Sequence, residues 1–278
     1  MLKLAYFLVL ILSSQFTFAG PGNGKYFNKV IFIVFENTNY KDAIQQPFFK
    51  ELANNGAHFS GLAAITHPSQ PNYIALTSGS LNGVKGNNPI NLNVKHIGDL
   101  LEAKELTWKA YADDYPGNCF TGTASNAYAR RHNPFISYLN IQKDAKRCAN
   151  IVNSSAFYQD VKNNSLPNYS FFIPNVKNDG HDTGVAFADK WYRKTFQSLF
   201  SNLDLMKDTL IITTFDENGG AAGNVVYTNF NGPMVRGGIV IPDRLTFFSL
   251  IKLIEQNWTL DSLGKEDLGA ASIPNVWQ

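Results

Sequence analysis

Three runs of branched and aromatic apolar residues, each ending in polar side chains, constrain the fold of this chain most strongly. The runs are KVIFIVFEN at 29–37, SFFIPN at 170–175 and TLIITTFDENGG at 209–220. Such near-continuous apolar runs are typical of strands buried on both faces, which occur mainly in parallel sheets covered by helices. In open sheets of this kind ligands bind beyond the carboxyl ends of the strands, so we expect the polar strand ends to form one site.

The rest of the chain alternates between helix and strand patterns, which predicts an α/β fold: a largely parallel central sheet with helices on both faces. Predicted helices cover 47–56, 69–79, 96–104, 185–203 and 244–257, and further strands cover 106–112, 224–228 and 237–242. Residues 113–168 follow no clear pattern, and we interpret them as a long insertion of the kind that often carries function.

The first nineteen residues have the features of a secretory signal peptide: a basic start at Lys3, an apolar run over 4–12 and small residues before Gly20. We therefore expect an exported protein with a single domain over residues 20–278. Without Lys3 the basic count falls from 24 to 23, against 22 acidic residues. This balance gives no basis for a nucleic-acid partner, and no later stretch is long and apolar enough to predict stable membrane insertion.

Cys119 and Cys148 are the two cysteines of the chain. In an exported protein an even pair predicts a disulfide rather than a metal or catalytic site. It would close a loop on the order of 30 residues and contribute roughly 3 kcal/mol of stability in the chain-entropy estimate.

The carboxylates at two strand ends predict a cation site. Glu36, Asp216 and Glu217 can share one space without repulsion only if a cation lies among them, and Asn37 adds a neutral oxygen. Oxygen-rich sets suit Mg²⁺, Ca²⁺ or Mn²⁺, and Zn²⁺ is a further possibility. The alternative is a pair of capping and turn-forming acids, although Glu is a poor turn former.

Three further residues are candidates for chemistry. Ser69 in HPSQPNYIALTSG lies at a predicted helix start, where it is either a simple N-cap or a hydroxyl activated by the helix dipole. His181 in the polar turn KNDGHDTG favours a ligand or proton-transfer role. His132 follows Arg130-Arg131, a group that could bind phosphate or form an ordinary solvated charge run.

These motifs together resemble the phosphoesterase family of acid phosphatases and bacterial phospholipases C, a branch of the alkaline phosphatase superfamily. The resemblance spans most of the chain and rests on FEN at 35–37, HPSQPNYIALTSG at 67–79, HNPF at 132–135, NDGHD at 178–182 and TFDENGG at 214–220. It implies an alkaline-phosphatase-like fold with a disulfide-tied insertion.

Similarity to the related nucleotide pyrophosphatases/phosphodiesterases implies specific roles. Their T-F-P-N nucleophile motif falls on S-Q-P-N and makes Ser69 the nucleophile. Asp216 matches a metal aspartate, and Glu217 stands where those enzymes have a histidine. Glu36 matches the metal ligand of the first strand, and His181 matches the histidine of the P-D-x-x-G-H pattern.

One departure from the two-metal members concerns the number of ions. Those enzymes carry a further histidine near the last helix, whereas no histidine follows His181 here. The resemblance therefore implies one divalent ion held by Glu36, Asn37, Asp216 and Glu217. His181 is then expected to act in catalysis, and the expected substrate-binding residues are His132, Asp179 and, from the asparagines between 87 and 93, Asn91.

We accordingly expect an exported metal-dependent phosphoric ester hydrolase, an acid-phosphatase-type phosphomonoesterase with a serine nucleophile and a small phosphate-ester substrate. A phospholipase C or phosphodiesterase is the nearest alternative. It is less favoured because the chain lacks the large C-terminal region of many phospholipases in the family and shows no amphipathic lipid-binding segment. A non-catalytic exported metal- or ligand-binding protein is the second alternative.

Overall fold

A mostly parallel sheet runs through the protein. The computed structural model describes residues 23–278, so the predicted signal peptide lies outside the described residues. The strands are β1 Lys29–Phe35, β2 Ala57–Phe59, β3 Leu62–Ala63, β4 Trp108–Ala112, β5 Ala124–Ser125, β6 Tyr128–Ala129, β7 Ile151–Asn153, β8 Tyr169–Ile173, β9 Thr209–Phe215, β10 Thr228–Asn231, β11 Ile239–Ile241 and β12 Leu245–Thr246. The helices are α1 Tyr40–Ala43, α2 Pro47–Asn55, α3 Ser69–Ser78, α4 Ile97–Glu102, α5 Leu139–Gln142, α6 Ala145–Cys148, α7 Ser155–Lys162, α8 Val185–Phe200, α9 Leu203–Met206, α10 Phe247–Trp258 and α11 Glu266–Gly269.

Eight of these strands form one sheet in the order β11-β2-β10-β9-β1-β8-β4-β7. Strand β10 runs antiparallel to both of its neighbours, and the other seven strands share one direction. The three long apolar runs of the sequence, β1, β8 and β9, are therefore adjacent at the centre of the sheet. The predicted α/β class is confirmed.

Helices cover both faces of the sheet, as two consecutive residues of β8 illustrate. Successive strand residues point to opposite faces. Phe172 packs against Phe157 of α7 and Phe196 of α8. Phe171 packs on the other face against Phe135, which precedes α5. The prediction of strands buried on both sides is thus confirmed.

Several predicted elements differ from the structure. The short strand predicted at 224–228 lies instead at Thr228–Asn231. The insertion 113–168 is less irregular than its sequence suggests, since it contributes β7 to the sheet edge and an eight-residue helix, α7. Helix α8 ends at Phe200, three residues before its predicted end. None of the helices over residues 23–278 is long and apolar enough to cross a membrane.

Helix α3 begins at Ser69, as the predicted range 69–79 has it, but its N-cap is Pro68 rather than Ser69. Pro68 occupies the N-cap and makes no side-chain capping bond, so Ser69 is the first helical residue and its hydroxyl is free for other contacts. The helix ends as predicted at Gly79, which adopts the left-handed conformation with φ of 67°. A side chain at Gly79 would also collide with Asp267, so glycine is required there on two grounds.

Cys119 and Cys148 form the predicted disulfide. The closed loop contains the β5–β6 hairpin and a 3-10 turn at Arg130–His132. The disulfide thus fastens the part of the insertion that carries His132.

Removing this disulfide tests its contribution. We expect the double variant Cys119→Ser/Cys148→Ser to lose about 3 kcal/mol of unfolding free energy, because the unfolded chain regains the entropy of a loop of roughly 30 residues. Urea denaturation measures the loss, and chemical reduction of the wild type is the matched control. A loss of less than about 1 kcal/mol would contradict the role of the bridge as a structural staple.

Candidate active site

The carboxyl ends of the three central strands meet at one place. In the parallel register Phe35 lies beside Phe215, so Glu36 and Asp216 leave the sheet side by side. Main-chain hydrogen bonds fix this arrangement: Asp216 N donates to Phe35 O at 2.8 Å, and Glu36 N donates to Asp179 O at 3.1 Å. The predicted convergence is confirmed for β1 and β9, and the loop after β8 reaches the same place through Asp179. Asn175, at the end of β8 itself, donates instead to Asp114 Oδ2 at 2.8 Å and lies outside the site.

A tight turn after each strand returns a second polar residue to the same space. The Asp216 Oδ1 atom accepts from the main-chain nitrogens of Asn37 at 3.1 Å and Glu217 at 2.7 Å. Asn37 has a φ of 26°, which lies outside the extended range and turns the chain sharply after Glu36. Its side-chain Nδ2 then donates to Glu217 Oε1 at 2.6 Å. Asp216 and Glu217 can therefore face one centre although strand neighbours normally diverge.

The first turn of α3 faces these carboxylates. Ser69 Oγ donates to Glu36 Oε2 at 3.0 Å and lies 3.5 Å from Glu217 Oε1. Asn72 holds the preceding loop by accepting from the main-chain nitrogens of Ile65 and Thr66 at 3.0 and 3.1 Å. The S-Q-P-N motif thus combines a hydroxyl in the site with an amide that fixes the approach to it.

Two residues of this segment belong to the site although the sequence analysis did not select them. His67 Nδ1 lies 2.7 Å from Glu217 Oε2, with the imidazole about half exposed. Tyr73 OH donates to Glu36 Oε1 at 3.0 Å, and its buried ring stacks on His132. Both residues lie in HPSQPNY, so their closeness to Ser69 in the sequence could have indicated that they belong to the site.

His132 and Asp179 form a buried pair behind Glu36. His132 Nε2 lies 3.0 Å from Glu36 Oε1, and its Nδ1 lies 3.3 Å from Asp179 Oδ2. Asp179 Oδ1 also accepts from the main-chain nitrogen of His181 at 2.7 Å. Asp179, predicted to bind substrate, is fully buried here and is placed to orient the two histidines.

His181 lies at the exposed side of the cluster. Its side chain is 38% exposed, and its Nδ1 lies 2.7 Å from Asp182 Oδ1. The rings of His181 and His132 are 6.2 Å apart between centroids. The structure therefore places His132, Asp179 and His181 near the metal-candidate carboxylates, and the catalytic and substrate-binding roles of these residues stay predictions.

Asn91 has a different environment from the predicted one. Its Oδ1 accepts from Arg130 Nη2 at 3.0 Å and from Gln142 Nε2 at 2.6 Å, which places it in the scaffold of the insertion. The asparagine at the N-terminus of α3 is Asn87, whose Oδ1 accepts from the Gln70 main-chain nitrogen at 2.9 Å. The sequence offered several asparagines between 87 and 93, and only the fold distinguishes them.

Burial and mutual repulsion dominate the electrostatics of the site. Burial, together with the charge of Asp179, raises the pKa of Glu36 to about 8. Burial also raises the pKa of Asp179 to about 8, although the hydrogen bond from the His181 main-chain nitrogen lowers this pKa. Asp216 has a pKa raised well above its ordinary value by burial and by the charges of Glu36 and Glu217. Burial and the neighbouring charges of Arg131 and His181 hold the pKa of His132 well below its ordinary value.

The donor set fits a divalent cation. Asp216 Oδ2 is buried and has no hydrogen-bond partner, and the same holds for His132 Nε2, which approaches Glu36 without hydrogen-bond alignment. An orphaned buried oxygen beside two further carboxylates is a favourable position for a cation, because the cation would relieve both the repulsion and the missing contact. Glu36, His132 and Asp179 also bring ligand atoms within 4.8 Å of one another, so Glu36 lies between two possible ligand sets.

Comparison with known proteins now identifies the family. The model of the phosphoesterase family matches residues 36–261, which include every residue of the site. The chain belongs to the phosphoesterase family. The predicted alkaline-phosphatase-like fold is confirmed as well: a protein in the alkaline phosphatase superfamily from Vibrio parahaemolyticus superimposes with a TM-score of 0.60 at 10% identity, covering 90% of this chain and 71% of that one.

Relatives within this phosphoesterase family bear phosphatase names. An acid phosphatase of Aspergillus fumigatus is 36% identical over 266 residues, covering 89% of this chain. The alignment spans 58% of the length of that fungal protein. A phosphatidylinositol-3-phosphatase of Mycobacterium tuberculosis is 31% identical over 256 residues, covering 90% of this chain and 83% of its own length.

The buried carboxylates predict an unusual stability profile for Asp216→Asn. A carboxyl group with a raised native-state pKa stabilises the fold below its unfolded-state pKa and progressively loses this effect as the pH rises. In chelator we therefore expect the variant to melt above the wild type, by several degrees at pH 8 and by less at pH 5, since the substituted amide carries no charge at either pH.

The same variant should lose stabilisation by metal, because it removes an oxygen ligand. Thermal melts with and without Mn²⁺ measure both effects, with the exposed Asp243→Asn as control. Equal melting temperatures of Asp216→Asn and wild type at pH 8 in chelator, or an undiminished Mn²⁺ shift, would contradict the buried-charge description.

Proposed function

We propose that this phosphoesterase is a metal-dependent phosphomonoesterase of acid-phosphatase type with Ser69 as its nucleophile. The observation that carries the proposal is the hydrogen bond of 3.0 Å from Ser69 Oγ to Glu36 Oε2 at the first turn of α3. A hydroxyl in this position has a proton acceptor, a helix N-terminus and a cluster of metal-type ligands within reach. The phosphatase names of the relatives support the same reaction class.

Ser69 would form and then lose one bond to phosphorus. Its Oγ attacks the phosphoryl group, the Oγ–P bond forms, and the bond from phosphorus to the leaving alcohol breaks. Water then attacks the phosphoserine, releases phosphate and restores the hydroxyl. The positive end of the α3 dipole lies at Ser69 and would stabilise the negative charge on the phosphoryl oxygens, although the first-turn N–H of Gln70 is already bonded to Asn87 Oδ1 and Pro71 carries none.

We propose one divalent ion, held by Glu36, Asn37, Asp216 and Glu217, as an alternative to the set Glu36, His132 and Asp179, whose ligand atoms lie within 4.8 Å of one another. Such an ion polarises a phosphate oxygen and lowers the pKa of the serine hydroxyl when bound. The neutral donors Tyr73 and Asn37, which already contact Glu36 and Glu217, keep the carboxylates oriented toward the centre.

His181 is the residue we propose to protonate the leaving alcohol. Its side chain is 38% exposed, whereas that of His132 is 1% exposed and lies between two carboxylates. The leaving alcohol departs toward solvent, so the proton donor must stand on the open side of the site. Asp182 accepts at His181 Nδ1 and thereby orients the ring, so that the doubly protonated imidazole would donate through Nε2.

The substrate we propose is a small phosphomonoester, processed outside the cytoplasm after cleavage of the signal peptide. The chain spans less than two thirds of the fungal acid phosphatase, so the proposal concerns the catalytic region that the two proteins share. Phosphatidylcholine and a phosphodiester are the comparison substrates that separate this activity from a phospholipase C or a phosphodiesterase.

Replacing the nucleophile gives the first test. We expect Ser69→Ala to lower kcat on 4-nitrophenyl phosphate by at least about 10³-fold, because the covalent route is removed. Ser78→Ala, at the other end of the same helix, is the matched control. A turnover of Ser69→Ala near that of the wild type would rule out the nucleophile, and trapping of a phosphoserine on residue 69 by rapid quench would support it directly.

Removing the metal gives the second test. Dialysis against a chelator should abolish turnover. Mg²⁺, Mn²⁺, Ca²⁺ and Zn²⁺ are then added one at a time, and the ion that the enzyme uses should restore turnover. Calorimetric titration should give one ion per chain for the wild type and a strongly reduced affinity for Asp216→Asn. Full activity in chelator would exclude a catalytic metal ion. Binding of two ions per chain would indicate that both the carboxylate set and the set of Glu36, His132 and Asp179 bind metal. Ion binding without turnover would favour a non-catalytic binding protein.

A further inference from the structure

Three consecutive residues of the insertion point in three directions. Arg130, Arg131 and His132 form one 3-10 turn, in which successive side chains are separated by roughly 120°. Arg130 is buried and donates to the carbonyl oxygens of Thr121 and Ile90, which fastens the insertion from within. His132 points to Glu36 and Asp179. Arg131 occupies the third direction, beside the exposed histidine of the site.

The guanidinium of Arg131 has no carboxylate partner within residues 23–278. Its side-chain contact there is with His181, whose Nε2 lies 3.5 Å from Arg131 Nη2. This contact is long, whereas Arg147 and Arg193 elsewhere pair with acids at 2.7 Å. Arg131 is therefore a half-buried cation next to the site with its hydrogen-bonding capacity largely unused.

The charge of the site calls for such a cation. Glu36, Asp179, Asp216 and Glu217 carry a formal charge of −4 when ionised, and one divalent ion leaves −2. A phosphomonoester arrives as a dianion near neutral pH, so it would be repelled by the remaining negative charge. The contacts of the described site residues include one Arg or Lys side chain, that of Arg131.

We propose that Arg131 binds the terminal oxygens of the phosphoryl group and makes the site selective for phosphomonoesters over phosphodiesters. This inference rests on the proposed phosphatase function and adds the residue that sets the substrate class. A guanidinium is planar and can donate to two phosphate oxygens at once. A monoester offers three terminal oxygens and two charges, whereas a diester offers two oxygens and one charge.

A purely structural role for Arg131 makes different predictions. If the residue only positioned His181, its removal would impair the leaving-group step and lower kcat equally for monoester and diester, with no change in phosphate affinity. If it binds the phosphoryl group, its removal weakens the binding of inorganic phosphate, which has no leaving group at all. Phosphate affinity therefore separates the two roles.

The experiment compares Arg131→Gln, Arg131→Lys and the control Arg193→Gln, which removes a partly exposed arginine paired with Glu51. We expect Arg131→Gln to raise KM for 4-nitrophenyl phosphate and the inhibition constant of inorganic phosphate about 10- to 100-fold, the range expected for bonds between charged groups. Bis(4-nitrophenyl) phosphate, as substrate or as competitive inhibitor, should change less than about threefold. Arg131→Lys should recover part of the phosphate affinity through its point charge, and Arg193→Gln should match the wild type.

Three outcomes would overturn the assignment of Arg131: an unchanged phosphate constant in Arg131→Gln, equal losses on monoester and diester, or the same loss in Arg193→Gln. Calorimetric binding of phosphate to the metal-loaded protein gives the same answer without turnover. A wild type that hydrolyses neither ester would therefore reject the proposed function, while the phosphate titration would still decide the role of Arg131.

Discussion

Mutual repulsion among buried carboxylates is the constraint on which the rest of the site depends. Glu36, Asp179, Asp216 and Glu217 are each at most 3% exposed and share one small volume at the carboxyl edge of the sheet. Ionised carboxylates are costly in such a place unless protons, hydrogen-bond donors or a cation compensate them. The surrounding groups are accordingly donors: the hydroxyls of Ser69 and Tyr73, the amide of Asn37 and the main-chain nitrogens that follow β1 and β9. These neutral donors orient the oxygens without cancelling their charge, and the divalent cation that we propose would supply the missing positive charge.

The apolar strands make this concentration of charge sustainable. Strands β1, β8 and β9 lie side by side with their ends in register, so the backbone positions of Glu36 and Asp216 are fixed by the sheet itself. Phe35 and Phe215 pack on each other and on Phe49 directly below the two acids. Displacement of either acid from the centre would break main-chain hydrogen bonds at the core of the protein. The same rigidity makes the site precise enough for catalysis, since the ligands need no ordering when an ion binds.

The sequence predicts the parts of the site that local patterns encode. Apolar runs ending in Glu36-Asn37 and Asp216-Glu217 sufficed to place the carboxylates at one edge of a parallel sheet, because strand direction determines where strand ends meet. Ser69 and His181 followed from motifs with a recognisable order. The choice of Asn91 did not follow in this way, because contacts between the segment at 87–93 and the insertion depend on tertiary packing. The contact of His67 with Glu217 and that of Tyr73 with Glu36 could not be predicted for the same reason, because each contact joins residues far apart in the chain.

The two signs of charge in the site come from different parts of the fold. The negative groups belong to the sheet edge, or to the loop after β8 that is bonded to it, and the core fixes them. The positive and neutral nitrogen groups of Arg131 and His132 come from the insertion, which is held by the disulfide and by Arg130 bonding to loop carbonyls. A strand buried on both faces cannot present a long cation at this edge without placing its stem in the core, whereas an external turn can. The proposed cation site is therefore tied to the stability of the fold, while the proposed recognition of the phosphoryl group by Arg131 could vary through the insertion with little effect on the core.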